Sequence, residues 1–390
     1  MKRKIFFLSI FLFSAVFLGC SDEKKPAYNG EEVNYIPKQE LSIGAITIDT
    51  LMNDSLMFSG LGQWIVFNDS LIFFDKRQNL VYVFSEDLMH TSTYLGKGDG
   101  PNLINSAVQS LTVFGDYLAV LGSSYDYYLI NKHWEIERKG MLDFNHEQIP
   151  YNQLMNQPNP DNVGIYEVLY EHLKFGHDYK GNLVFSIAST HPSFNYIWHE
   201  DFYKKGRILG IASPNDGKVS VKGTYSAIYQ EYKFLSTLIG APFSYIDAST
   251  YIQGYEVDSV LYKLDDSGKM HFAFGIPGKE MNIAYESFKP EDIDEFDARW
   301  SLDRNRSSYY HSLDFVEESG LLFRGYSKSN TVSDGLQIYK NDTLIGDVDV
   351  PKGFRFVGYK APYYYGSFTY NPDREDDFLQ ILRFKLPHNG

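Results

Sequence analysis

A single cysteine, Cys20, stands in 390 residues, so no internal disulfide can staple the fold. There is also no paired Cys-x-x-Cys, no His-Glu-x-x-His and no histidine pair at helical ligand spacing. Zinc is left without a cage, and the sequence calls for no metal or other cofactor. Positive charge is short: 36 basic against 50 acidic side chains give a formal charge of −14. Nucleic acid, held largely by Lys and Arg on phosphates, is therefore excluded as a partner. Neither a nucleophile elbow nor a serine-triad order is present. The glycine-rich turn Gly96-Lys97-Gly98-Asp99-Gly100-Pro101 lacks the Lys-Ser/Thr of a phosphate loop, and the segment after Pro101 reads as strand rather than helix, so it is a structural turn.

Aromatic residues are abundant, with 31 Tyr and 29 Phe, and 43% of the chain is hydrophobic, enough for a large core rich in sheet. The plainest unit spans 255–276. Val257, Val260, Tyr262 and Leu264 form a β-rich run, Asp265-Asp266-Ser267-Gly268 supplies a turn, and His271 to Phe274 resumes an aromatic strand. Variants of this hairpin occur at 68–87, 115–135, 180–201, 318–342 and 361–386. From Leu71 to Tyr363 the spacing averages about 58 residues per unit, room for a four-stranded propeller blade and a moderate loop. The expected fold is all-β, a six-bladed β-propeller over 41–386. An isolated strand at Ile43, Ile46 and Ile48, and a short one at Leu56 to Phe58, would supply N-terminal strands that pair with the C-terminal ones and close the ring.

The first residues have another character. Lys2, Arg3 and Lys4 precede the apolar run Ile5 to Leu18, a signal peptide over 1–20 that is too short for a membrane span. Gly19-Cys20 at its end resembles the lipobox of bacterial lipoproteins, with Phe17 standing where an aliphatic residue is usual. That resemblance implies lipidation at Cys20 and a membrane partner through the lipid anchor. Ser21, Asp22 and Glu23 behind it resemble the surface-export signal of Bacteroidetes lipoproteins, which leaves an outer-membrane lipoprotein on either the cell surface or the periplasmic face. Residues 21–40 lack periodicity and are expected to be a flexible tether.

The Gly96–Pro101 turn and the stretch DSVLYKLDDSGK from Asp258 to Lys269 resemble the six-bladed β-propeller lipoproteins of Bacteroidetes, diffusely over 41–386. The resemblance implies fold and address and transfers no catalytic residue. Two insertions interrupt the repeat. Tyr151 to Gly164 is rich in Asn, Gln and Pro and is expected to be an irregular loop. Lys279 to Asp303 carries the one short inserted helix, with Pro290, Glu291 and Asp292 in its first turn and Ile293, Phe296 and Trp300 on one side. These insertions mark the expected working face, with Trp300 as its candidate binding residue.

The groups able to do chemistry are scattered. His199-Glu200-Asp201, and Arg304, Arg306, Tyr309, Tyr310 and His311, supply acids or bases only if they converge on the central funnel. Asp373, Glu375, Asp376 and Asp377 offer oxygen ligands but lack the order of a calcium loop. Tyr363, Tyr364, Tyr365, Phe368 and Tyr370 form the densest aromatic run. Tyr363 and Tyr365 share one face, as packing or as a binding platform. Triplets such as Asp69-Ser70-Leu71, Asp258-Ser259-Val260 and Asp342-Thr343-Leu344 resemble O-glycan acceptors of exported Bacteroidetes proteins, and are equally turn punctuation. Two functions remain: a non-catalytic binding or scaffold module for a glycan, peptide or envelope protein, and an extracytoplasmic polysaccharide hydrolase or lyase working in the funnel.

Overall fold

The computed structural model describes residues 26–369 and 378–387. The signal peptide, Cys20, Tyr370 and the carboxylates Asp373, Glu375, Asp376 and Asp377 lie outside these residues. The architecture is a six-bladed β-propeller. Blade 1 is Gly62–Phe67, Ser70–Asp75, Leu80–Phe84 and His90–Leu95; blade 2 is Val108–Phe114, Tyr117–Gly122, Asp126–Ile130 and Ile136–Met141. In blade 3, Tyr166–Val168 and Phe175–His177 both pair with the long strand Leu183–His191, followed by Leu209–Ala212 and Val219–Lys222. Blade 4 is Phe243–Tyr245, Thr250–Tyr255, Asp258–Asp265 and Met270–Phe274; blade 5 is Tyr309–Val316, Leu321–Ser327, Ser333–Lys340 and Thr343–Pro351. Blade 6 is Phe354–Lys360, Tyr363–Phe368 and Leu379–Phe384, completed by Ile48–Asn53 from the N-terminal side.

Local chemistry sets these hairpins. Asn68 and Asp69, and again Asn341 and Asp342, take positive φ in two-residue turns, the geometry that fits the twist of an antiparallel pair. The triplets beginning at Asp69 and Asp342 are thus hairpin corners. Within the blades both faces are covered by neighbours, so strands read as continuous apolar runs: Leu71, Ile72, Phe73 and Phe74 are all buried. Each such side chain contributes about 1.5–3 kcal/mol of apolar transfer. The core lies between blades. Ile72 and Phe74 meet Leu118 and Val120 across blades 1 and 2, and Trp64, Phe73 and Tyr82 meet Tyr365 and Ile381 across blades 1 and 6.

The expected closure is found, and it is more extensive than a single strand. Residues 26–40, expected as tether, are instead laid on the propeller: Ala27–Tyr28 pairs with Glu31–Glu32, and Tyr28 and Val33 are buried. Tyr35 then bridges to Ala273 at the edge of blade 4, and Gln39–Ile43 adds a fifth, parallel strand to blade 5 beside Leu344 and Gly346. Ile48–Asn53 next becomes the outer strand of blade 6, in antiparallel register with Leu379–Phe384. The belt satisfies edge amides that would otherwise template aggregation, which explains why a polar, aperiodic segment is ordered. No strand forms at Leu56 to Phe58.

The inserted helix is Ile293–Arg306. The Asp292 side chain caps it by accepting from the Glu295 amide at 3.0 Å, so Pro290 and Glu291 precede the helix rather than open it. Phe296 is buried and Trp300 half-buried, while Ile293 is exposed. Three shorter helices join it: Tyr151–Asn156 in the expected irregular loop, Glu200–Lys205 and Ile228–Tyr232. Glu200–Lys205 and Ile228–Tyr232 meet through Tyr203 stacked on Tyr229 at 6.0 Å, and Phe296 of the inserted helix meets Tyr196 at 6.3 Å.

Candidate functional site

The first strand of each blade lines the axis, neighbour against neighbour, around a central channel of about 1470 Å³. The face where these strands begin is here the upper face. The connectors 142–165, 223–242 and 275–308 precede the first strands of blades 3, 4 and 5, so three of the four helices sit in connectors at that face. The two expected insertions therefore do share one face.

At the upper mouth, side chains from separate elements meet. The hairpin of blade 4 turns at Glu256 and Val257, not before a strand beginning at Val257 as expected, and this turn buries the Glu256 carboxylate. Its oxygens accept from Arg304 Nη2 at 2.9 and 3.0 Å and from the Gly240 amide at 2.9 Å. Gly240 is required there: a Cβ would stand 2.6 Å from the carboxyl carbon. Burial by itself raises the Glu256 pKa, but Arg304 and His172 outweigh it and hold the group down at about 2. Burial likewise opposes the Arg304 charge, and Glu256 and Tyr309 together more than restore it.

His172 Nδ1 lies 3.2 Å from Glu256 and 3.1 Å from Arg304 Nη2, and its Nε2 is buried without a partner. Trp300 stands over this cluster, 4.9 Å from the His172 ring and 4.6 Å from the Arg304 guanidinium, which also faces Tyr309 at 4.6 Å. Around the same mouth His311 and Arg355 come from blades 5 and 6. Burial pushes the His311 imidazole well below its usual range, with Arg355 and Arg304 adding to the effect, so it is neutral at pH 7. Both its nitrogens are buried and unpaired. Lys76, from blade 1, also lines the channel; its ammonium donates to the Gln109 carbonyl at 2.5 Å, and burial lowers its pKa to about 8.

Of the groups named from sequence, Arg304 and His311 line the channel mouth, while Trp300 and Tyr309 pack on the Arg304 guanidinium without lining the channel themselves. The others do not. Glu200 and Asp201 make exposed pairs with Lys204 and Lys205 one helical turn away, and Arg306 pairs with Glu286 on the surface. Tyr310 is buried under the Arg324 guanidinium. Tyr365, offered as a binding platform, is fully buried between blades 6 and 1; in a propeller both faces of a strand are interior, so alternation does not mark a solvent face. Tyr363 is half-buried beneath Arg383 and Lys385. Ser259 is tied in by its carbonyl to buried Arg324, which makes the Asp258 triplet a structural one. Among the described residues no cluster of His, Cys, Asp and Glu could hold a metal ion.

Glu256, His172, Lys76 and Arg355 escaped the sequence reading. A signal existed for two of them: Glu256 interrupts the run Gly254-Tyr255-Glu256-Val257, and Arg355 sits between Phe354 and Phe356. Each is a charge inside an aromatic strand pattern, a placement that needs a partner.

No family model matches this chain, and no curated protein matches it in sequence. Solved structures do. A member of the DUF4221 family from Bacteroides vulgatus ATCC 8482 aligns with TM-score 0.63 at 12% identity, covering 90% of this chain and 99% of that one. A candidate exported protein from Bacteroides fragilis NCTC 9343 aligns with TM-score 0.53 at 12% identity, covering 91% and 99%. At such identity the likeness shows the propeller fold.

Proposed function

We propose that this chain is an envelope lipoprotein that binds its ligand at the upper mouth of the channel as a non-catalytic module. The observation that carries this reading is the cluster of Glu256, Arg304 and His172 under Trp300. It is built from three distant segments, opens on a deep channel and is locked into ion pairs. A carboxylate held near pKa 2 by an arginine is a poor proton shuttle and a good rigid support for a recognition surface. Anchoring at Cys20 by a lipid, on the surface or the periplasmic side of the outer membrane, is supported by the Gly19-Cys20 sequence and by the exported neighbour. The ligand class is a glycan, peptide or envelope protein.

Two measurements test this. Full-length protein in non-ionic detergent is screened against glycans, peptides and envelope extracts, then rescreened as Trp300→Ala and Arg355→Gln. Ligand lost from both folded variants supports the channel mouth, and ligand kept by both places recognition elsewhere. Cys20→Ser should release the protein from membranes; unchanged membrane fractionation would rule out the lipid anchor.

A second reading, a hydrolase or lyase, is favoured by one observation: the Lys76 amine lines the channel with a pKa lowered to about 8, in the range of a general base. Turnover of any polysaccharide that disappears in Lys76→Met would select it.

A further inference from the structure

The channel is polarised in charge along its axis. Lys76 follows Ser70–Asp75, antiparallel to Gly62–Phe67, and its amide donates to the Leu61 carbonyl at 2.9 Å, which fixes it at the upper end of blade 1. Arg355 is the second residue of the first strand of blade 6, and Arg304 joins them through the blade 4 turn. At the opposite end stand four carboxylates, Asp69, Asp116, Glu317 and Glu318, against one cation, Lys132, so that end is net acidic. Lys174 and Asp314 between the two ends neutralise each other at 2.5 Å.

Within the upper cluster the charges do not cancel. Glu256 is consumed by Arg304, and exposed Glu171 is the other carboxylate lining this end. Lys76 and Arg355 have no ion-pair partner among the described residues. Lys76 is held by one carbonyl, and Arg355 donates to the Phe354 carbonyl at 2.9 Å. Arg355 is half-buried and lines the channel. The Lys76 ammonium reaches the first strand of blade 2 and the Arg355 guanidinium stays on blade 6, so two cations without a counter-charge stand on separate walls of one mouth, at a cost to the protein. An anionic ligand that fills the mouth offsets that cost, and a guanidinium fork fits an oxyanion in two directions at once.

On the reading that the channel mouth is the binding site, we infer that its ligand carries an oxyanion, a carboxylate, sulfate or phosphate group, held by the Arg355 fork with Arg304 behind it and attracted by Lys76 on the facing wall of the mouth. The acidic lower end repels the same group and so fixes the direction of entry.

Titration calorimetry on the full-length chain in non-ionic detergent tests this with four probes: a uronic acid trimer, inorganic sulfate, inorganic phosphate and a neutral glucose trimer. At least one charged probe should bind, more weakly as salt rises, and the neutral trimer should not. Which charged probe binds best separates a carboxylated glycan from a sulfated or phosphorylated ligand. Arg355→Gln and Lys76→Met should each weaken binding by about tenfold or more. Lys218→Ala, at an exposed residue paired with Asp216, should leave it unchanged. Circular dichroism and thermal unfolding confirm that each variant is folded. Binding that survives the Lys76→Met, Arg355→Gln double variant is an adventitious ion only and overturns the inference. If no charged probe binds while a neutral ligand from the screen depends on Trp300, the anion inference falls and the channel reading stands. Failure of every probe and of the screen sinks both.

Discussion

One guanidinium nitrogen, Arg304 Nη2, touches both carboxylate oxygens of Glu256, at 2.9 and 3.0 Å, although the two residues are 48 positions apart. The contact ties the end of the inserted helix to the hairpin turn of blade 4, so the helix is anchored to the channel mouth through a charge pair.

Breaking that pair should be costly. Glu256→Gln leaves the Arg304 charge without its buried counter-ion, and unfolding in urea should show a loss of about 3 kcal/mol at pH 7. Linkage gives the pH dependence. The folded-state pKa is depressed to about 2 from an unfolded value near 4.5, so the unfolded chain binds more protons in that window. The contribution of Glu256 is complete above pH 4.5 and is lost as pH falls through 2, and the variant should show a flatter acid limb. An acid limb identical to the parent's would refute the assignment.

Lys76 should behave in the opposite sense. Its pKa is lowered to about 8 from 10.5, so the folded protein carries the full desolvation cost below pH 8 and sheds it as pH rises toward 10.5. Lys76→Met is expected to melt no lower than the parent at pH 7 and to lose the parent's gain in stability between pH 8 and 10.5. A marked drop in melting temperature would show that the ammonium is a structural support.

Trp300 links binding to packing. Trp300→Ala removes the ring that covers His172 and Arg304, and should cost about 1–2 kcal/mol in denaturant unfolding, mostly cation–π and contact energy at a half-buried site. Ligand affinity should fall more steeply than stability, because Arg304 loses one of the two rings that orient it. Equal melting and equal affinity in parent and variant would remove Trp300 from the site.

The belt should be essential to the ring. Deleting residues 1–53 strips the outer strand from blade 6 and the fifth strand from blade 5, leaving the Leu379–Phe384 edge open. The product should aggregate or lose cooperative unfolding, whereas deletion of 1–25 should melt like the parent. A soluble, cooperatively folding 54–390 fragment would show that the blades close without the belt.

The sequence alone determined what is local. Turn residues such as Asn68-Asp69 mark tight hairpins, Pro290 to Asp292 mark a helix start to within a turn, and runs such as Leu71 to Phe74 specify strands; repeated about every 58 residues, these yield six blades. Arg304, Tyr309 and His311 were legible as candidates because charged and aromatic groups crowd one segment. What only tertiary structure decided is non-local. His172, Glu256, Arg304 and Arg355 reach one channel mouth from different blades and connectors, and no spacing along the chain encodes that meeting. The belt was illegible for the same reason, since residues 26–43 gain order from edge strands hundreds of positions away. For Tyr365 the choice between packing and platform stayed open, because strand alternation separates two faces without saying which of them meets water; blade stacking puts both in the core.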